Sequence, residues 1–480
     1  MPTFPKILEK KLARPVAILG AGVSGNAVKK FLAGLGIESA LYDAGGLAGT
    51  IPQFGDAEAA THDLCIYSPG FAQNHPWMQA ARRAGALCLT EIDFAAVFLQ
   101  GSAAPLKRLA DENAEAFIAR AQRRFSLVAI TGTNGKTTLT EFLSFAHKKA
   151  GRDSAAVGNN GIPMTTLLDA DASSGALPIC EVSSFQAEDL HYFSPRAVLW
   201  TNFDEDHINR HGSLEKYFRA KFRLIEQQES LRLLIGDFPD RADPALREIL
   251  ALRICIVGES VAEAAKKFGI ALPPHTQIAT RAEVRENVPA GSIFETFPQM
   301  ENYALARRYW LACGLPLREL ENAALAFKPC AHRLTKVAET GNAPEIEFWN
   351  DSKGTNFHSV MAALASFRDL PIYWIGGGQS KGGDINNFVN NVAVQVKEAF
   401  LIGETAAEMN AQFLQQNVPS TICTSLGTAV LSAFKAAAKS QGGRAIVLFS
   451  PGFASFDMFK SYSDRGAQFV QIVNNICEKV

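Results

Sequence analysis

One short stretch of the chain reads Ala129-Ile-Thr-Gly-Thr-Asn-Gly-Lys-Thr-Thr-Leu-Thr140. An apolar run from Phe125 to Ile130 leads into its glycines, and a segment of helical character from Leu139 to Lys149 follows them. A strand, a glycine-rich loop and a helix in this order are typical of a phosphate-binding loop. Backbone N–H groups of small residues surround the anion in such a loop, and a helix that begins near Thr137 directs its positive end at the phosphates.

The polar residues of this stretch have matching chemical roles. Lys136 would reach the outer phosphates, and the Thr137 hydroxyl would hold Mg²⁺. The loop departs from the common motif at Ile130, where that motif has its first glycine. The alternative is a plain turn with a solvated lysine, but Gly-Lys-Thr-Thr at the helix start favours an ATP site. Its residues would be Gly132, Thr133, Asn134, Gly135, Lys136, Thr137 and Thr138.

The length, composition and charge of the chain restrict its class. A chain of 480 residues is expected to form about two to four domains. An apolar share of 47% is enough for large cores and excludes wholesale disorder. The net charge of -1 gives no support for binding to nucleic acid or to an anionic membrane.

The cysteines and the apolar runs indicate where the protein works. The eight cysteines are scattered without metal-ligand spacing, which favours a reducing cytosol. The segment from Met1 to Pro15 lacks the apolar core of a secretion signal. No uninterrupted apolar run approaches the ~20 residues of a membrane span. We therefore expect a cytoplasmic protein with no nucleic-acid or membrane partner. We also expect a monomer that acts on small molecules, although neither property follows from these observations.

A second glycine-rich turn lies near the start of the chain. The strand candidate Pro15 to Leu19 runs into Gly20-Ala-Gly-Val-Ser-Gly25, and after a helical stretch a second strand, Ser39 to Tyr42, ends at Asp43. This is the fingerprint of a Rossmann-like unit, with an acidic residue placed for a ribose contact. A nicotinamide-dependent dehydrogenase would carry it too. The phosphate loop downstream favours a nucleotide-linked substrate at this turn and ATP at the other.

Further strands are expected to bring polar residues to the carboxyl edges of parallel sheets. Leu64 to Tyr67 runs into Ser68, and Val157-Gly runs into Asn159. Ligands of such sheets bind at the carboxyl ends of the strands. Between the first and central units, Gly101 to Arg124 is charged and alanine-rich. It is predicted to be a connecting surface helix.

Two residues at such strand ends are candidate metal ligands. Glu181 follows Ile179-Cys, and Mg²⁺ is normally held by few carboxylates together with phosphate oxygens and water. A structural pairing of Glu181 with a neighbouring helix is the alternative. His207 lies in Asn202-Phe-Asp-Glu-Asp-His207, where a surface hydrogen-bonding role is the alternative to a ligand role.

The motifs Thr-Gly-Thr-Asn-Gly-Lys-Thr-Thr, Glu-Val-Ser-Ser-Phe-Gln and Thr-Asn-Phe-Asp-Glu-Asp-His resemble the central domain of the Mur ligases, the ATP-dependent enzymes that build the peptidoglycan stem peptide. The following Tyr217-Phe-Arg-Ala-Lys221 resembles that family's helix with a carbamylated lysine. The resemblance implies a second Mg²⁺ held by His207 and modified Lys221, against an exposed helix lysine as the alternative. It also implies ATP contacts by Asn302, although Glu301 stands where the family usually has histidine.

The last part of the chain carries the motifs that discriminate within the family. His332-Arg333 and Asn350-Asp-Ser-Lys-Gly-Thr-Asn356 resemble segments whose arginine and aspartate, here Arg333 and Asp351, reach ATP; Thr335 stands where the family usually has glutamate. The stretch after the aspartate resembles the members that add D-glutamate. So do the glycine loop Trp374 to Asp384 and the segment Phe449 to Tyr462. The implied amino-acid site consists of His332, Thr355, Lys381, Ser455 and Tyr462, the last at a position that is usually phenylalanine.

The resemblance implies an activity and an architecture. D-glutamate would be joined to UDP-N-acetylmuramoyl-L-alanine through an acyl phosphate, with ATP giving ADP and phosphate. Lys136, Lys221, His207 and Arg333 would be catalytic, and the metal ligands would be Thr137, Glu181, His207 and Lys221. The UDP substrate would be bound by Gly22, Val23, Ser24, Gly25, Asp43, Ser68 and Asn159.

We predict an α/β protein with a Rossmann-like N-terminal domain, a central P-loop ATPase-type domain with a parallel or mixed sheet, and a Rossmann-like C-terminal domain. The predicted ranges are 1–105 for the UDP-substrate domain, 106–125 for the connection, 126–328 for the ATP-binding domain and 329–480 for the amino-acid-binding domain. The alternatives are another Mur-type or folylpolyglutamate-synthase-like ligase, or a nucleotide-switch or NAD-binding regulatory protein. If ATP turnover requires an amino acid, the chain is a ligase and not a nucleotide-switch or NAD-binding regulatory protein.

Overall fold

The computed structural model describes residues 5–100, 126–168, 176–230, 253–280, 282–283, 287–295, 298–329, 331–341, 344–367, 369–380, 384–440 and 443–478. The predicted connection 106–125 and Lys381 lie outside this part of the chain. Two compact units are formed. The first is Met1–Phe203, Glu215–Ser292 and Glu301–Phe327, and the second is Asp204–Leu214, Ile293–Met300 and Lys328–Val480. The predicted fold class, three α/β domains, is confirmed, whereas the predicted domain boundaries stay predictions.

The N-terminal sheet has four parallel strands in the order β2-β1-β3-β4. Alternate residues of β1 enter separate apolar clusters, Ile18 in one and Ala17 in the other. Both faces of the sheet are therefore covered, which explains why its strands are short continuous apolar runs. The elements are β1 (Val16–Leu19), β2 (Ser39–Tyr42), β3 (Leu64–Tyr67), β4 (Leu87–Thr90), α1 (Lys6–Glu9), α2 (Val23–Gly34), α3 (Asp56–Ala59), α4 (Pro76–Arg83) and α5 (Glu91–Gln100).

The central sheet has six parallel strands in the order β10-β9-β8-β5-β7-β6. The strands are β5 (Val128–Thr131), β6 (Ser154–Gly158), β7 (Leu177–Glu181), β8 (Ala197–Trp200), β9 (Ile254–Gly258) and β10 (Gln277–Ala279). The helices of this stretch are α6 (Lys136–Lys149), α7 (Ser184–Ala187), α8 (Ile208–His211), α9 (Leu214–Ser230), α10 (Glu259–Lys267), α11 (Gln299–Ala312) and α12 (Leu317–Ala326). Strand β5 lies between β7 and β8, so the loop that follows it is flanked by the ends of both neighbours.

The C-terminal sheet has the order β11-β12-β16-β13-β14-β15, and only the edge strand β11 runs antiparallel to its neighbour. The sequence did not indicate β11, because its residues are half-buried or exposed and mostly polar. The strands are β11 (Thr335–Glu339), β12 (Glu345–Asn350), β13 (Ile372–Gly377), β14 (Glu398–Ile402), β15 (Ser420–Ile422) and β16 (Arg444–Phe449). The helices are α13 (Phe357–Ala365), α14 (Ile385–Ala393), α15 (Ala406–Gln415), α16 (Leu426–Ala437) and α17 (Tyr462–Cys477).

Helix α5 joins the N-terminal sheet to the central sheet within the first unit. Its Asp93 is fully buried and accepts the backbone N–H groups of residues 191, 192 and 193 at 2.9, 2.8 and 2.6 Å. Its Glu91 accepts the backbone N–H of Thr165 at 2.6 Å. Burial raises the pKa of both carboxyl groups. Two carboxylates of one helix therefore satisfy backbone donors of the central domain.

No helix in the described part of the chain has the length and apolar character that a membrane span requires.

We expect Asp93→Ala to lower the free energy of unfolding by at least about 2 kcal/mol, because three buried N–H groups lose their acceptor. Thermal and urea unfolding of purified protein would measure this loss. Asp56→Ala is the matched control, since Asp56 is 71% exposed and pairs only with Arg83 in the contacts that are resolved. Equal stability of the two variants would contradict the role given to Asp93.

Candidate active site

The loop between β5 and α6 has a backbone that only glycine accepts at two points. Gly132 has a φ of 148° and Gly135 a φ of 80°. A Cβ atom on Gly132 would lie 1.8 Å from the Thr201 hydroxyl oxygen, and one on Gly135 would lie 2.4 Å from the Asn302 side-chain oxygen. Both glycines are therefore required by the backbone conformation and by close neighbours. The structure thus places Asn302, a predicted ATP residue, against the predicted phosphate loop.

The end of the neighbouring strand β8 holds this loop in place. The Asn134 N–H donates to the side-chain oxygen of Asn202 at 2.9 Å, and the Thr133 N–H donates to the Asn202 carbonyl at 3.0 Å. Thr201 donates its hydroxyl to the Asn134 carbonyl at 2.5 Å. Asn202 is part of a family motif, but the sequence did not lead us to predict a role for it. Its position two residues after the apolar run Ala197–Trp200 was the available signal in the sequence.

Two lysines converge on one carbonyl of the loop. Lys136 donates to the Gly132 carbonyl at 2.9 Å and to the Thr133 carbonyl at 2.8 Å. Lys221, which is 1% exposed, donates to the same Gly132 carbonyl at 2.7 Å. Two ammonium groups this close repel each other, and a bound anion or the loss of one charge relieves that repulsion. Lys221 is thus a buried residue at the loop, which argues against the exposed-lysine alternative.

Glu181 and Asn159 are in contact beside the same loop. The register of the sheet places Glu181, at the end of β7, opposite Ile130 of β5. Glu181 is 2% exposed, and the Asn159 side-chain amide donates to its carboxylate at 3.0 Å. The predicted metal ligand and the predicted UDP-site residue therefore share one hydrogen bond. Thr137 and Thr138 are buried in the first turn of α6.

The N-terminal glycine turn keeps its predicted residues together. Gly20 has a φ of 97°, and a Cβ atom there would lie 2.7 Å from the Ser68 hydroxyl oxygen. Asp43 accepts the Ala21 N–H at 2.8 Å and the Gly45 N–H at 2.9 Å, and these bonds lower its pKa. Asp43 thus fixes the turn as an ionised carboxylate.

The tip of this turn is accessible. Nothing lies within 4 Å of a Cβ atom built on Gly22, and Val23 is 66% exposed. Ser24 is half-buried, and Gly25 is buried, where a Cβ atom would lie 2.0 Å from the Gly20 carbonyl oxygen. Of these predicted UDP-site residues, Gly22 and Val23 face open space, whereas Gly25 serves the packing of the turn.

His207 belongs to the second unit, whereas Thr137, Glu181 and Lys221 belong to the first. Its φ of 53° is a strained value for a residue other than glycine, and such strain is concentrated at functional sites. Its ring lies 3.5 Å from the Asp206 carboxylate.

A group of three carboxylates within metal-ligand distance occurs once among the described residues, at Glu339, Glu345 and Glu347 of the C-terminal sheet. None of these is a predicted ligand. Lys336 and Arg444 form ion pairs with Glu347, so cationic side chains already offset the charge of this group.

Asp351 is the most perturbed carboxyl group of the second unit. It follows β12, accepts the Ser450 hydroxyl at 2.7 Å and accepts the Leu334 N–H at 3.2 Å. Burial raises its pKa to about 7, against the opposing effect of these hydrogen bonds and of Arg333. A buried carboxyl group that titrates near neutral pH beside an arginine marks a candidate functional position. Arg333 itself is half-buried.

The segments predicted to bind the amino acid meet around α17. His332, with a φ of 66°, packs its ring against Gly466, where a Cβ atom would lie 2.5 Å away. Lys353 donates to the Tyr462 hydroxyl at 3.0 Å. Ser455 is buried and Thr355 is half-buried, and neither side chain forms a hydrogen bond with the described residues that would define its role.

The phosphate loop, its half-buried Lys136 and buried Lys221, and the three α/β sheets are features of the Mur ligase class. The family model of the Mur ligase middle domain matches residues 130–268. The solved UDP-N-acetylmuramate–alanine ligase of Thermotoga maritima has the same fold, with a TM-score of 0.54 at 14% identity over 96% of this chain and 99% of that one.

Two relatives narrow the class. A UDP-N-acetylmuramoylalanine–D-glutamate ligase of Geobacter metallireducens is 30% identical over 487 residues, covering 96% of this chain and 97% of the relative. One of Caulobacter vibrioides is 31% identical over 479 residues, covering 96% of each. The chain therefore belongs to the family of UDP-N-acetylmuramoylalanine–D-glutamate ligases.

We expect the stability of the protein to depend on pH through Asp351. In the unfolded chain its carboxyl group ionises near the usual value of 3.8, but in the folded protein at about 7. Between these values the unfolded chain binds fewer protons, so stability falls as pH rises, and above about 7 the loss is complete. Asp351→Asn should therefore unfold at a higher temperature than the parent protein at pH 8, while at about pH 4 the two should be nearly equal.

Parallel thermal unfolding at both pH values would measure this difference. Asp369→Asn, an exposed aspartate of the same unit, controls for the change in net charge. A constant difference between Asp351→Asn and the parent at both pH values would refute the raised pKa.

Proposed function

We propose that the chain joins D-glutamate to UDP-N-acetylmuramoyl-L-alanine in the synthesis of peptidoglycan precursors, using ATP and forming ADP and phosphate. The observation that carries an ATP-dependent reaction is the convergence of Lys136 and Lys221 on the Gly132 carbonyl. This loop concentrates positive charge where backbone N–H groups and a helix start also favour an anion. The names of the relatives supply the two other substrates.

The proposed reaction has two steps. A carboxylate oxygen of the UDP substrate attacks the γ-phosphorus of ATP, and the bond to the ADP oxygen breaks, which leaves an acyl phosphate and ADP. The amine of D-glutamate then attacks the acyl carbon, loses a proton and displaces phosphate. Lys136 and Arg333 offset the charge on the phosphoryl oxygens in the first step, and a guanidinium suits that spread of charge.

In the first unit, the phosphate loop and Asn302 would bind ATP. Asn302 supports this assignment because it lies against Gly135. Arg333 and Asp351 of the second unit are assigned to ATP by the family resemblance. The UDP substrate would be bound by Gly22 to Gly25, Asp43, Ser68 and Asn159. D-glutamate would be bound by His332, Thr355, Lys381, Ser455 and Tyr462, of which Lys381 lies outside the described residues.

The oxygen donors beside the loop fit one Mg²⁺. Thr137 offers a hydroxyl and Glu181 a carboxylate, which are the ligand types that this hard cation prefers. Lys221 as an ammonium would repel a second ion. As a carbamate it would offer oxygens instead, with His207 as the other ligand. Bound Mg²⁺ supplies charge stabilisation at the transferring phosphoryl group.

We further propose that the enzyme is a cytoplasmic monomer with no nucleic-acid or membrane partner. The near-neutral net charge supports this proposal, because it provides no field for anionic partners. Sedimentation analysis at working concentrations would test the monomer, and a stable dimer would contradict it.

We expect phosphate release from ATP to require both UDP-N-acetylmuramoyl-L-alanine and D-glutamate, and to be low with L-glutamate, D-aspartate or L-alanine. Lys136→Ala should reduce the rate at least about 100-fold, because preorganised charge at the phosphates is lost. Lys149→Ala, at the exposed end of the same helix, is the matched control and should keep the parent rate. Full activity of Lys136→Ala would refute the phosphate-loop assignment, and selectivity for another amino acid would refute the substrate.

We expect ¹³C-labelled bicarbonate to give a carbamate resonance in the NMR spectrum of the parent protein. Burial and the nearby Lys136 disfavour a charge on Lys221, and the neutral amine is the form that reacts with carbon dioxide. Lys221→Ala should lack the resonance, while Lys216→Ala, an exposed lysine on α9, should retain it. A spectrum without the resonance in the parent protein would refute carbamylation.

A further inference from the structure

Arg465 is a buried arginine in the first turn of α17. Its side chain is completely buried. Its guanidinium donates to the Ser352 hydroxyl at 3.1 Å, the Ser352 carbonyl at 2.9 Å, the Phe453 carbonyl at 3.2 Å and the Ala454 carbonyl at 3.3 Å. Four of the five N–H donors of an arginine are thus used, and every acceptor is neutral.

This charge has no carboxylate partner at ion-pair distance among the described residues. Asp351 and Asp457 act on it only through space, and burial lowers its pKa to about 10, so that it stays charged near neutral pH. Hydrogen bonds to neutral carbonyls offset only part of the cost of burying a charge, and an apolar residue of similar size is often as stabilising as a buried ion. Stability alone is therefore a poor reason for an arginine here.

The acceptors of Arg465 belong to segments of the proposed amino-acid site. Ser352 lies three residues before Thr355, and Ala454 directly precedes Ser455. Ala454 also exchanges two backbone hydrogen bonds with Gln379 of the glycine loop, at 2.9 and 3.1 Å. The Arg465 guanidinium thus connects the segment of Ser352 to the segment of Ala454. The hydrogen bonds between Ala454 and Gln379 extend this connection to the glycine loop.

The glycine loop also lies directly against Arg465. A Cβ atom on Gly378 would lie 2.3 Å from the Ala454 carbonyl oxygen and 3.3 Å from the nearest guanidinium nitrogen. The loop can approach the arginine only because Gly378 has no side chain and has a φ of 143°.

We infer that Arg465 is a positioning residue for the incoming amino acid. Its planar fork sets the spacing between the segments of Ser352, Ala454 and Gln379, and its uncompensated charge raises the positive potential toward the carboxylates of the amino acid. This inference rests on the proposed function. Asp351 keeps its own bonds to Ser450 and Leu334 without Arg465, so the effect is expected on the amino acid more than on ATP.

The test compares Arg465→Lys and Arg465→Met with the parent enzyme. A lysine restores the charge but not the fork, and a methionine removes both. The KM for D-glutamate should rise about tenfold or more in Arg465→Lys, and further in Arg465→Met, from the loss of hydrogen bonds to a charged donor. The KM values for ATP and the UDP substrate should change less than about threefold. Arg444→Lys, the same substitution at a surface ion pair of this unit, should leave all three values as in the parent.

Hydroxylamine separates the two steps, because it traps the acyl phosphate as a hydroxamate without using the amino-acid site. Amide formation should fall far more than hydroxamate formation in both Arg465 variants. An equal fall of both steps, or an unchanged KM for D-glutamate, would overturn the inference. Failure of the parent enzyme to form either product would instead refute the proposed function.

Ser352→Ala extends the test to a variant that keeps the arginine. It removes one acceptor of Arg465, so we expect a smaller rise in the KM for D-glutamate. This variant decides the question if Arg465→Lys and Arg465→Met do not fold. An unchanged KM for D-glutamate in a folded Ser352→Ala protein would then overturn the inference.

Discussion

The turn of the backbone at Gly132 and Gly135 is the constraint on which the first unit depends. The positive φ values of these two glycines curve the loop toward the start of α6. Neighbouring atoms occupy the space that a side chain at either position would need. This arrangement brings the Gly132 carbonyl within reach of Lys136 and Lys221 at once. The positive charge is therefore held in place by the backbone before any substrate binds, which is the condition for electrostatic preorganisation.

The same unit also uses carboxylates to hold loops: the fully buried Asp93 and the half-buried Asp43. Asp93 accepts three consecutive backbone N–H groups, and Asp43 accepts two at the N-terminal glycine turn. Glu181 is also hydrogen-bonded, to Asn159, but it follows a strand beside the phosphate loop. Burial and hydrogen bonding therefore do not separate structural from functional carboxylates in this protein.

The second unit is organised around a buried cation and a buried acid. Arg465 and Asp351 lie on segments that begin at adjacent strands, and each lowers the cost of charge on the other. Their hydrogen bonds go mainly to backbone and hydroxyl groups, so the two charges remain available to act on a ligand. The strained backbone at His332 and Leu334 is adjacent to the same group.

The sequence was sufficient to predict the alternation of strands and helices, because buried parallel strands are short apolar runs and the glycine loops follow them directly. It also determined the phosphate loop, since Gly-Lys-Thr-Thr has few other uses, and the family motifs that point to D-glutamate. The edge strand β11 was not predicted, because a half-exposed strand has no continuous apolar run. Only the tertiary structure shows that Asn202 holds the phosphate loop and that Lys221 and Lys136 donate to the same carbonyl. It also shows that Arg465 connects segments more than 100 residues apart in sequence. These roles depend on contacts between distant residues, which no local pattern of side chains encodes.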